Sequence, residues 1–338
     1  MPDKDAAVPP GRIAYIDFLK FISLTGIILA HVGSPNWVMM ARSFDVPLMV
    51  ILSAMLAVNS YRKYEGKKHG LIRYYWGRVK RLVLPTWIFL LFFFFLFFLV
   101  TKKPFALNYY IASFCLTRYG IGYVWVILMY LYSALLVPLY AKTGFSFKTS
   151  LCLLLVYLLY EIAHFYSIGT ANKLIDTTFY YLVPYGGVLS YFGYHYHQMK
   201  HKNLAAALSF LIFAALGAYY WHKFGSPQLV QIAKYPPRCY YLSYGIAISL
   251  LLLILCERNT LKIYRNPLIV FISKHSMWIY LWHILLLYVY SFVNLPEIWY
   301  IKLILVYSCS IGMVIFVNKV LDLIEKRHRF SLFKYLRG

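Results

Sequence analysis

The 338-residue chain has little charge and very little acid. Only 13% of its residues are Asp, Glu, Lys or Arg, and only 11 are acidic. A soluble domain carries about twice that share of charge. With 62% hydrophobic residues, no soluble core of this length encloses the apolar surface, so a water-soluble enzyme and a disordered chain are both excluded. Cysteine is scarce: the five present include no CxxC and no Cys/His metal spacing, which excludes a disulfide-stapled secreted module and a zinc module. P-loop, GxSxG and HExxH motifs are absent, as are internal repeats, low-complexity linkers and a soluble second domain.

What is there is length of apolar run. Segments of about 17–23 residues each suffice to cross a hydrocarbon core about 30 Å thick. Spanning backbone must be helical here, because lipid offers no partner for an unpaired amide and the ~10-residue alternation of a membrane barrel is missing. The chain reads as an all-α polytopic membrane protein, one integral membrane domain over 1–338. Ten spans are expected at about 13–32, 44–60, 82–100, 121–140, 150–168, 179–194, 204–222, 240–256, 270–290 and 298–321. The first contains Asp17 and Lys20 and is followed by nine more, so it reads as a retained helix and not a signal peptide. Cys152, Cys256 and Cys309 fall in or at the ends of apolar runs and read as small core residues. Cys115 and Cys239 fall in loops expected outside, where a disulfide is one option.

The 34 basic residues give a net charge of +23, yet they sit in short loops between apolar runs, which argues for topology and anionic lipid and against nucleic acid. With the N-terminus inside, 22 of them fall in inner segments and 8 in outer loops. The positive-inside rule therefore places both termini in the cytoplasm, in a multi-pass cytoplasmic (inner) membrane. The tail 322–338 alternates basic and aromatic residues and suits an interfacial helix.

Ionisable groups within spans are costly and mark candidate function. The first span holds Asp17, Lys20 and His31. Eleven residues at 100° each return to within about 20° of the starting direction, so Lys20 and His31 share a helix face about 16 Å apart. Asp17, three residues before Lys20, can pair with it there. Asp45 opens the second span, close to His31 in an antiparallel pair. It can accept the Nδ1 proton of His31 and so make a general base with an orienting partner, or it can cap the second helix; the two roles are compatible. Before the third span, Arg78 and Arg81 stand at i,i+3, two guanidinium forks suited to phosphates or to plain lipid anchoring. His283 is a second histidine within a span. Glu161 and His164, one i,i+3 pair, do not make a metal site. His195, His197 and His201 in an inner loop read as solvated.

Taken together, these segments resemble the membrane-bound acyltransferase 3 family. The family's Arg/Lys-x10-His with a preceding Asp is matched by Asp17, Lys20 and His31, and Arg12 stands where its helix-opening Arg stands. Asp45 to Ala54 resembles its Asp-containing Ser-Gly stretch. Arg78 and Arg81 match its Arg-x-x-Arg, Trp125-Val126-Ile127 echoes its Trp-Phe-Leu, and Ser276 to His283, after Asn266-Pro267, echoes its Ser-Tyr-x-Tyr-Leu-Trp-His. The matches run in order over about 12–290. Lys20 replaces the commoner Arg, Ala54 the usual Gly, and Met277 the usual Tyr.

The resemblance implies a membrane O-acyltransferase in its standalone form, without an SGNH-hydrolase-like domain. Its donor is a cytoplasmic acyl-CoA, usually acetyl-CoA, and its acceptor is a hydroxyl of an extracytoplasmic molecule, commonly a cell-surface polysaccharide. His31, Asp45 and Lys20 are then the expected catalytic group, with His31 either the general base on the acceptor hydroxyl or a brief carrier of the acyl group. Arg78, Arg81, Asp17 and Arg12 are expected along the CoA path, with His283 and Trp125 lining the cavity and no metal. The rival reading is a transporter or glycan flippase that uses the same buried Asp, Lys and His.

Overall fold

The computed structural model describes residues 13–166, 178–179, 181–326 and 336–337. Among them the fold is helical throughout, with a lone bridge between Lys234 and Pro237 in place of any strand. Among the described residues seven helices are long and apolar enough to cross a membrane, and an eighth span arises if the bent pair Pro267–Lys274 and Ser276–Phe292 counts as one. In Phe147–Phe165 and Lys202–Phe224 only 11% of the most apolar window is buried. Apolar helices left that bare by their own protein must face lipid.

Two of the ten expected spans take a different form. Residues 13–32 form a helix only over Ala14–Leu29, 16 residues, or about 24 Å. Residues 179–194 form a π-helical stretch, Leu182–Leu189, followed by a short helix, Ser190–His195. Pro184 lacks an amide hydrogen and cannot continue an α ladder. Tyr140 Oη lies 2.7 and 2.8 Å from the carbonyls of Gly186 and Gly187, within that widened turn. The third expected span begins twelve residues early: the helix is Gly70–Thr101 and absorbs the basic segment before it.

The chain forms two compact units. One comprises 1–45 and 252–338, the other 46–251. In the first unit, the Ala14–Leu29 helix packs on both halves of the bent pair, and Ser276–Phe292 packs along Trp299–Glu325. Asn266 caps Pro267–Lys274 by accepting the Leu268 amide at 2.9 Å, with Pro267 at the first helical position, where its missing donor and fixed φ are favourable. The bend between the two halves is 77°.

In the second unit, Gly70–Thr101 packs against Trp125–Thr143. Two consecutive tyrosines pin them together: Tyr74 and Tyr75 donate to the carbonyls of Ala134 and Leu135, each at 3.0 Å. Around them Ala57, Tyr61 and Val137 form a tight buried cluster. Glu161 accepts from Tyr157 Oη, the Cys239 amide and Arg238 Nε at 2.6, 2.7 and 3.2 Å, so it is a structural hub.

Three side-chain expectations change. All five cysteines are free thiols, including Cys115 and Cys239, and of the three read as core only Cys256 is buried, whereas Cys152 and Cys309 are exposed on their helices. His195, read as solvated, is fully buried among Tyr191, Tyr194 and Phe145. Most of the C-terminal tail, including 327–335, lies outside the described residues.

Candidate active site

The first unit assembles most of the expected site. Its centre is a pair of histidines: His31 Nδ1 lies 3.0 Å from His283 Nε2, and the two rings are near-parallel at 15°. His31 sits just past the end of the first helix, where its amide still bonds the carbonyl of Ile28 at 2.9 Å. His283 lies within Ser276–Phe292 and is fully buried. Its own Nδ1 faces the carbonyl of Tyr280.

These contacts set the tautomers. A carbonyl only accepts, so His283 Nδ1 carries a hydrogen, and the neutral ring leaves its Nε2 as the acceptor. His31 must then donate from Nδ1, which leaves the lone pair of neutral His31 on Nε2. An imidazole whose Nδ1 hydrogen is held by an acceptor carries its lone pair on Nε2, which is the tautomer of a general base.

The sequence reading put Asp45 at His31 Nδ1. The structure puts His283 there and seats the Asp45 carboxylate on Arg42, 2.8 Å away. The reason is rotational. The Asp45 segment docks on the Ser23–Gly26 side of the first helix: Ser23 Oγ donates to the Asp45 carbonyl at 2.5 Å, Arg42 Nη1 reaches the Gly26 carbonyl at 3.3 Å, and a Cβ on Gly26 would lie 2.8 Å from that of Asp45. That side is turned about 100° from the Lys20–His31 side. Only a glycine allows so close an approach. Asp45 is completely buried and Arg42 is 4% exposed, a charge pair closed off from water.

Toward the other end of the same face, Asp17 and Lys20 are joined through one residue from the bent pair. Ser273 Oγ donates to Asp17 Oδ1 at 2.6 Å, and Lys20 Nζ donates to the Ser273 carbonyl at 2.6 Å. Asp17 and Ser273 are buried and Lys20 is half-buried.

Arg78, Arg81 and Trp125 belong to the second unit. Arg78 and Arg81 are a third of the way along Gly70–Thr101, and the Arg78 guanidinium lies over the Tyr74 ring, 5.4 Å from its centre. Trp125 is packed among Tyr181, Tyr185 and Tyr235, with Lys234 Nζ over its ring at 5.8 Å. Arg12 lies outside the described residues.

Two participants escaped sequence reasoning. Arg42 carried a signal, since an Arg three residues before an Asp is within reach of it across one turn of chain. Ser273 carried none, because its role depends on where a helix breaks.

A family model described as an acyltransferase domain matches residues 13–321. No curated protein and no solved structure matches the chain. The match takes in Asp17, Lys20, His31 and His283 and covers nearly the whole chain: this integral membrane protein belongs to the acyltransferase 3 family.

Proposed function

We propose that this acyltransferase moves an acyl group, acetyl in the simplest case, from cytoplasmic acyl-CoA to a hydroxyl of an extracytoplasmic acceptor, a cell-surface polysaccharide. The observation that carries the reading is the Tyr280–His283–His31 chain, which supports His31 Nε2 as the base. In that step Nε2 takes the proton of the acceptor hydroxyl. The oxygen attacks the thioester carbonyl, the carbon–sulfur bond breaks, and the departing CoA thiolate recovers the proton. His283 holds the positive charge that develops on His31 by accepting its Nδ1 hydrogen.

Arg78 and Arg81 bind the phosphates of CoA. Lys20 and Asp17 line the path of the acyl-pantetheine arm. Both termini are cytoplasmic and the protein resides in the cell's inner membrane, as the excess of Lys and Arg on that side supports.

The test is incubation of the purified protein with labelled acetyl-CoA and surface polysaccharide. Label transfer that is lost in His31→Ala, at normal expression, supports the mechanism. Transfer at the wild-type rate in that variant overturns it, and acceptor movement without consumption of CoA overturns the enzymatic reading.

A further inference from the structure

The break between Lys274 and Ser276 changes what Ser273 can do. In an unbroken helix its carbonyl would accept the amide of Met277. Here one helix ends at Lys274, and the next starts its own ladder with Ile279 N–H donating to the His275 carbonyl at 3.0 Å. The last-turn carbonyls of a helix have no partner within it. The Ser273 carbonyl takes Lys20 Nζ, and its hydroxyl takes Asp17, both at 2.6 Å. Ser273 and Asp17 are both buried, so the bond between them forms where water does not weaken it, whereas the bond to half-buried Lys20 is only partly enclosed.

The same bent pair then supplies His283 to His31. One broken element therefore holds both ends of the face that carries Asp17, Lys20 and His31. The break is itself braced. His275 Nδ1 donates to the main-chain carbonyl of Arg337 at 2.9 Å, and the Arg337 guanidinium lies 2.7 Å from Asp322.

We propose that Ser273 is a positioning residue for acyl transfer: its hydroxyl orients Asp17, and its carbonyl, released by the helix break, anchors Lys20. Ser273 touches no reacting atom. It fixes where an acid and a base three residues apart present their charges, and uses one of the three Lys20 donors to do so. The role rests on the acyl-transfer reading above.

The test is a double-mutant cycle on the full-length protein with Ser273→Ala, Asp17→Asn and their combination, beside Ser273→Thr. Two quantities are read: kcat/KM for acetyl-CoA with surface polysaccharide as acceptor, and the melting temperature. Loss of a hydrogen bond to a charged group lowers kcat/KM about tenfold to a hundredfold in Ser273→Ala. Ser273→Thr, which keeps both groups, stays within about threefold of wild type, and the double variant is no slower than Asp17→Asn alone. A purely structural serine would lower the melting temperature and leave kcat/KM per folded molecule unchanged, which overturns the proposal. Effects of Ser273→Ala and Asp17→Asn that multiply overturn it as well. If Ser273→Thr fails to fold, the cycle with Asp17→Asn decides alone. If the wild-type protein transfers no label, the acyl-transfer reading falls first and takes the positioning role with it. That outcome is distinct from an active enzyme indifferent to Ser273.

Discussion

His31 Nδ1 and His283 Nε2 meet at 3.0 Å across 252 residues of sequence. With Tyr280 occupying the far nitrogen of His283, this contact decides which nitrogen of His31 is basic.

His31→Ala removes the base and is expected to lower kcat by about 10²–10⁴-fold. His283→Ala leaves the base present but its tautomer undetermined, and lowers kcat by about a hundredfold with little change in KM for acetyl-CoA. The two act as a unit, so the double variant is no slower than His31→Ala alone. Steady-state rates of label transfer check this, and losses that multiply in the double variant contradict the relay.

Arg42 and Asp45 form a closed, buried pair. Arg42→Ala removes the buried charge partner of Asp45 and costs about 3–5 kcal/mol, whereas a double apolar replacement such as Arg42→Met with Asp45→Leu recovers most of that loss. Thermal melts in detergent show whether it does. A double variant as unstable as Arg42→Ala would mean that Asp45 has a second essential partner.

Tyr74→Phe leaves the buried Ala134 carbonyl without its hydroxyl donor and is expected to cost about 1–2 kcal/mol. Tyr75→Phe, at an exposed bond, costs under about 1 kcal/mol. Equal shifts in melting temperature would show that burial does not separate the two.

Burial lowers the pKa of His195 below its ordinary value of 6.5, opposed only by its hydrogen bond to Gln198. The unfolded chain then binds a proton that the folded one refuses, so stability falls as pH drops below about 6.5. Melting curves between about pH 7.5 and about pH 5.5, one unit either side of that pKa, test this. His195→Gln should flatten the dependence, and an unchanged slope would assign it to another group.

The membrane class and the common side of Asp17 and Lys20 on the first helix were legible because they depend on local quantities. Apolar run length answers to bilayer thickness, and a shared helix face answers to a 100° step. The 16-residue first helix and the π-helical stretch at Leu182–Leu189 were not legible, since Pro184 and the glycines only permit that stretch, and the Tyr140 hydroxyl settles it from another helix. Asp45 shows the same limit at the site. Its approach to the first helix was readable, but the side on which it docks depends on Gly26 and Arg42.

The sequence by itself determined the solvent and the inventory. A chain with so few charges and such long apolar runs must be helical in lipid, because the backbone has to satisfy its own amides there and the alternation of a closed barrel is missing, and its few buried ionisable groups had to find partners or function. Only the tertiary structure decided who those partners are. His283 took the place at His31 that sequence reasoning gave to Asp45, and Ser273 joined Asp17 to Lys20 because a helix broke beside it. Which side of a helix meets which partner is set by packing between segments 22 residues apart at Asp45 and more than 250 apart at His283 and Ser273, and no local pattern encodes it.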